Sequence, residues 1–164
     1  MRRLVVFTVL AIGLAIPPAG FALVAGPQDG TLSIKAGIGR ATLSPFNGSV
    51  VGRIAHGSIR ANDPIADDGP GIVFSGCDHS DIKDTTTLCR GTNIRFRAID
   101  GKYGITIRGS GIYLSAVGRG TVTLDGRGDE PDIEKDGVFS LNGASYKSLP
   151  NAATPYSLLS PVGG

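Results

Sequence analysis

"GTNIRFRAIDGKYGITIRGSGIYLSAVGRGTVTLDG", residues 91–126, alternates apolar and polar side chains through most of its length. Ile94, Phe96 and Ala98 are separated by Arg95 and Arg97; Ile105 and Ile107 flank Thr106; Val122 and Leu124 flank Thr123. A period of two is what strands show when one face is buried and the other wet. Long helix-periodic stretches are absent, and glycine-bearing turns recur every eight to twelve residues or so. The stretch predicts short strands and, with them, an all-β fold.

Working outward, the same pattern occurs once more upstream. "GTLSIKAGIGRATLSPFNGSVVGRIAHGSIRAND" from Gly30 matches the stretch from Gly91, with Leu32, Ile34 and Ala36 set against Ser33 and Lys35. "GIVFSG" at 71–76 then answers "GVFSLNG" at 137–143. Charge recurs in the same order: residues 30–63 carry four basic and one acidic residue, 64–90 two and five, 91–126 five and two, 127–136 two and five. The expectation is an internal duplication, 30–76 and 91–143, within one β domain spanning 26–150. About ten short antiparallel strands in two tandem five-stranded repeats would close as a sandwich or a barrel. A β-solenoid, in which each copy spans two or three rungs, is the alternative architecture.

The N-terminus reads as a targeting segment. Arg2 and Arg3 precede an apolar run from Leu4 to Ile16, Pro17-Pro18 follows, and the small-residue stretch "AGFALVAG" supplies processing sites after Ala22 or Ala25. Residues 1–25 are thus expected to be a helical secretory signal, with a retained membrane anchor as the alternative. Without them the chain carries 14 basic and 14 acidic residues. That balance points to neither nucleic acid nor an anionic membrane surface, so any membrane association is expected through the N-terminal segment alone. At the other end, residues 151–164, with "TPYSLLSPVGG", predict an extended tail in which Tyr156, Leu158 and Leu159 dock and the tip is loose.

The most polar region is "CDHSDIKDTTTLC", Cys77–Cys89. Two cysteines bracketing a hydrophilic loop in an exported chain predict a disulfide, and closing such a loop contributes about 3 kcal/mol in the chain-entropy description. A metal centre using Cys77, Asp78, His79, Asp81 and Asp84 is the competing reading, although the spacing matches no common zinc pattern. The acidic connectors offer a separate option, calcium held by Asp67 and Asp68 and, in the second copy, by Asp129 and Glu130. Neither connector follows the EF-hand spacing, and solvated turns have the same composition.

Catalytic signatures are scarce. "SDIK" at 80–83 matches the S-x-x-K of serine acyl-enzymes only formally, since that chemistry needs a helix. There is no G-x-S-x-G elbow, H-E-x-x-H pair or phosphate-cradling glycine loop. His56, in an expected turn, and His79 are the only imidazoles. No cofactor is implied. What remains is arginine on wet strand faces: Arg95, Arg97, Arg108 and Arg119, with Lys35, Arg53 and Arg60, are candidates for gripping an anionic cell-wall polymer. Tyr103, Tyr113 and Tyr146 are candidates for stacking against it.

The run "RGSGIYLSAVGRGTVTLDG", 108–126, followed by "DGVFSLNG" and "YKSLP", resembles uncharacterised exported all-β proteins of actinobacteria. The resemblance implies export and a β fold and brings no activity with it. The expectation is an exported, non-catalytic β module of the cell envelope, binding or structural, whose partner is an anionic wall polymer or another envelope protein. A small secreted enzyme or metal-binding protein using the 77–89 loop is the alternative.

Overall fold

The computed structural model describes residues 25–65, 71–127 and 136–159 of the chain. The expected signal segment, the calcium candidates Asp67, Asp68, Asp129 and Glu130, and the tip of the tail lie outside these residues. Among the described residues seven strands are formed: β1 (Gly30–Asn62), β2 (Ile72–Ser75), β3 (His79–Lys83), β4 (Thr86–Gly126), β5 (Val138–Leu141), β6 (Lys147–Ser148) and β7 (Thr154–Leu158). All pair antiparallel in one sheet, with the path β2-β4-β1-β5-β6 and with β3 and β7 attached to β4. Among the described residues no helix is long and apolar enough to cross a membrane.

The all-β expectation holds, while the strand count differs. Seven strands replace ten because β1 and β4, at 33 and 41 residues, run through the glycines that were expected to end them. The spans 30–76 and 91–143 do not stack as two layers, since β1 and β4 pair directly with one another. The sheet does not close as a ring, for its path ends at β2 and β6. Its antiparallel ladders also differ from the parallel rungs of a β-solenoid.

Such long strands raise a geometric problem. At about 3.3 Å per residue, β1 would extend roughly 110 Å if straight, whereas a domain of this size is only about 35–40 Å across. The register shows the solution. Gly39 pairs with both Gly109 and Gly126, Gly48 with both Gly101 and Gly118, and Gly57 with both Gly91 and Gly109. β4 therefore flanks β1 on both sides, and the two-stranded ribbon winds over itself.

The bends fall where glycine meets glycine. Gly30, Gly39, Gly48 and Gly57 recur every nine residues along β1, each opposite a glycine of β4. At Gly48 φ is +149°, outside the range L side chains adopt readily, and a Cβ there would sit 2.2 Å from the Val117 carbonyl oxygen. Only hydrogen fits, so the ladder stays continuous while the ribbon turns.

The winding gathers the apolar face inside. Leu43 lies between Ile105 and Val122, Val50 between Ala98 and Ala116, and Ile59 between Cys89 and Ile107, all of them buried. Ile94, Phe96, Ile105 and Ile107 are strand residues pointing into this core, as their alternation predicts. Each large aliphatic buried this way contributes about 1.5–3 kcal/mol. Ala36 departs from the pattern. A bulge between Ile34 and Gly37 puts it at φ +53° and leaves it exposed.

The C-terminal segment docks as β7 along Gly120–Leu124. Leu158 is fully buried and the Tyr156 ring lies 5.1 Å from Phe139, whereas Leu159, expected to dock too, is 52% exposed.

Candidate anion-binding groove

The sheet's outer face carries its polar residues in rows across the strands, because antiparallel partners on one face lie directly opposite. One row runs Ser75, Arg95, Arg53, Tyr113, from β2 through β4 and β1 back to β4. Its neighbour runs Val73, Arg97, Val51, Ser115, Ser33, Ser140 and ends on β5. Arg53 meets Arg95 in the first register of β1 on β4, and the winding of the ribbon brings Tyr113 to its other side.

A shallow groove of about 480 Å³ follows these rows, lined among others by Lys35, Arg53, Arg95, Arg97 and Tyr113. On one side it continues into a depression walled by Thr31, Ser33, Ser115, Ser140 and Tyr146. On the other it continues past Arg53 and Arg95 to Asn93 and Gly111. No carboxylate is among the described residues lining any of the three.

Among the described residues no carboxylate compensates the charges of this groove. Arg53 directly opposes Arg95, an arrangement of like charges that weakens a sheet. The Arg53 guanidinium lies 4.4 Å from the Tyr113 ring centroid, a cation–π contact that offsets about 0.5–1 kcal/mol. Among the described residues, neither Arg53, Arg95 nor Arg97 forms an ion pair. At the groove's other wall, Lys35 sits 4.1 Å from the centroid of Tyr146, whose hydroxyl is 3.0 Å from Ser33 Oγ. The Ser33 hydrogen bond and then the Lys35 ammonium hold the Tyr146 phenol below its ordinary pKa.

The structure divides the four arginines selected from the sequence. Arg95 and Arg97 share the groove. Arg108 lies elsewhere, opposite Ser58 and Arg40, beside the Arg40–Asp125 ion pair. Arg119 is paired with Asp29 at 3.3 Å. Arg53 and Lys35 belong to the groove, while Arg60 faces Leu88 and Thr106. Of the tyrosines, Tyr113 and Tyr146 line it, and Tyr103 is buried with its hydroxyl donating to the Ile99 carbonyl. The hydroxyl row Ser33 and Ser115 was not singled out by sequence reasoning. Its only sequence signal is that both fall on polar positions of alternating strands.

The 77–89 region is an exposed hairpin of β3 on the start of β4. The sulfurs of Cys77 and Cys89 are 2.00 Å apart, disulfide-bonding distance, with Cys89 buried against Ile59. Sulfurs so placed are not available as thiolate ligands. Asp78 accepts a hydrogen bond from the Thr92 amide and so ties the hairpin to β4. Among the described residues no three His, Cys, Asp or Glu side chains converge. Ser80 and Lys83 are on a strand, where positions three apart point to opposite faces. His56, expected in a turn, lies within β1 opposite Thr92 and Ser110, and is exposed. Comparison of the chain with protein-family models, with curated proteins and with solved structures gave no match.

Proposed function

We propose that this chain is an exported, non-catalytic binding module of the cell envelope, and that its outer-face groove holds an anionic polymer. The observation that carries the proposal is the Arg53–Arg95–Arg97 cluster. Arg95 and Arg97, two apart on β4, and Arg53, opposite Arg95 on β1, form no ion pair among the described residues, and the Arg53–Arg95 opposition costs sheet stability. An anionic ligand removes that cost, since guanidinium binds carboxylate or phosphate through two parallel hydrogen bonds.

The cysteine pair at disulfide distance is consistent with an oxidising compartment. The basic-then-apolar N-terminus supports the envelope placement. Among the described residues no carboxylate lines the groove, which favours binding over cleavage, because glycoside hydrolysis ordinarily uses two of them.

The test is co-sedimentation with purified bacterial cell wall. The protein should pellet at low ionic strength and stay in solution at high salt, where charges beyond about 3 Å are screened at 1 M. The double substitution Arg53→Gln and Arg95→Gln should lower the bound fraction at low salt about tenfold or more. Equal pelleting of the wild-type and variant chains would overturn the proposal.

A further inference from the structure

We infer, resting on that reading, that the ligand is a linear acidic polysaccharide laid across the strands, its acid groups on the arginines and its neutral hydroxyls on the serine end. Three features of the groove lead to this class.

The first is length. The three depressions are continuous, sharing Ser33, Val51 and Ser115 at one junction and Arg53, Arg95 and Tyr113 at the other. Ser140 to Arg97 is four inter-strand steps, Ser140–Ser33–Ser115–Val51–Arg97. At about 4.8 Å per step this is roughly 19 Å. A single phosphate or monosaccharide would occupy only a fraction of it; a chain fills it.

The second is the change of chemistry along that line. One end presents a cluster of guanidiniums, the other the hydroxyls of Ser33, Ser115 and Tyr146 beside a single ammonium, Lys35. A polyphosphate carries charge on every unit and would gain little over the serines. An acidic polysaccharide carries hydroxyls on every ring and charge on some, which suits both ends.

The third is the ring. Tyr113 is 38% exposed at the centre of the groove, held by Arg53. It offers a fixed apolar surface beside the charges, and such a surface suits the flat face of a sugar ring more than a phosphate backbone.

The experiment is calorimetric titration of the intact protein with galacturonate oligomers of increasing length, and with inorganic polyphosphate of matched total charge. Affinity for the uronates should climb with length and level off once the chain spans the groove. The paired substitution Ser33→Ala and Ser115→Ala should weaken uronate binding about three- to tenfold, the scale of one or two lost hydrogen bonds, and leave polyphosphate unaffected. Arg95→Gln should weaken both polymers, and Arg108→Gln, outside the groove, neither. All four side chains are solvent-facing, and thermal melts would confirm that the variants fold. Equal binding of both polymers with no effect of the serine changes, or no dependence on uronate length, would overturn this inference while leaving the anionic groove standing. Failure of every polymer to bind would overturn both.

Discussion

Arg40 and Arg53 lie on the same strand, both face outward, and both have two partners on β4. Arg40 faces Arg108 on one side and Asp125 on the other, and forms an ion pair with Asp125. Arg53 faces Arg95 and Tyr113, and finds no carboxylate among the described residues. The same side chain on the same sheet forms an ion pair beside the bend at Gly39 and forms none, among the described residues, between the bends at Gly48 and Gly57. Composition does not distinguish the two; the double register of the wound ribbon does. One arginine is tied into the sheet by an ion pair; the other has no such tie among the described residues.

The most drastic way to break this comparison is to remove the winding that creates both neighbourhoods. Gly48→Val puts a side chain into the Val117 carbonyl at a backbone conformation valine avoids. The expected cost is about 4 kcal/mol or more, seen as loss of the cooperative thermal transition and of strand circular dichroism. A near-normal melting temperature would show that the ribbon does not depend on glycine meeting glycine.

The paired substitution Cys77→Ser and Cys89→Ser tests a region that belongs to neither neighbourhood. Stability should fall by about 3 kcal/mol in denaturant titrations, with anion binding by the folded protein unchanged. A matching loss of affinity would place the hairpin in the groove's function.

Arg95→Glu makes the Arg53 neighbourhood resemble that of Arg40. It replaces a repulsive cross-strand pair with an attractive one, so stability should rise by about 0.2–1 kcal/mol, while polymer binding is lost. A fall in stability would contradict the claim that Arg53 and Arg95 strain the sheet.

The smallest effect concerns Tyr146. Its folded-state pKa lies below the ordinary phenol value, so the contribution to stability is fully present only above that ordinary value and disappears as pH falls through the lowered pKa. Ultraviolet titration of the folded protein should therefore show one early phenol ionisation, absent in Tyr146→Phe and shifted upward in Ser33→Ala.

Much of the fold is legible in the sequence, because alternation depends only on local burial. Ile94, Phe96, Ile105, Ile107, Val122 and Leu124 all point where the period of two places them. Strand number is not legible in the same way. Gly101, Gly109 and Gly118 look like turn residues, yet each sits inside β4, where the ladder bends without stopping. The nine-residue spacing of Gly30, Gly39, Gly48 and Gly57 is the signal that distinguishes a bent strand from four separate ones. For the site, Arg95 and Arg97 are recognisable as neighbours on one wet face. Their meeting with Arg53, and the separation of Arg108 and Arg119 from them, depends on a long-range register that no local pattern encodes.

The double register also constrains how the chain reaches its native state. Its pairs join residues far apart in sequence, such as Gly30 with Gly118 and Gly39 with Gly126, so contact order is high and folding is expected in milliseconds to seconds rather than microseconds. Of the pairs between β1 and β4, those near Asn62 and Thr86 are closest in sequence and close the smallest loop, so the ribbon's natural starting point lies there. From there the ribbon zips outward to Gly30 and Gly118, and the second register forms only when there is a ribbon to wind. Arg53 is thus set against Arg95 early, while Tyr113 and Ser115 join the groove only with the last layer of pairing to assemble.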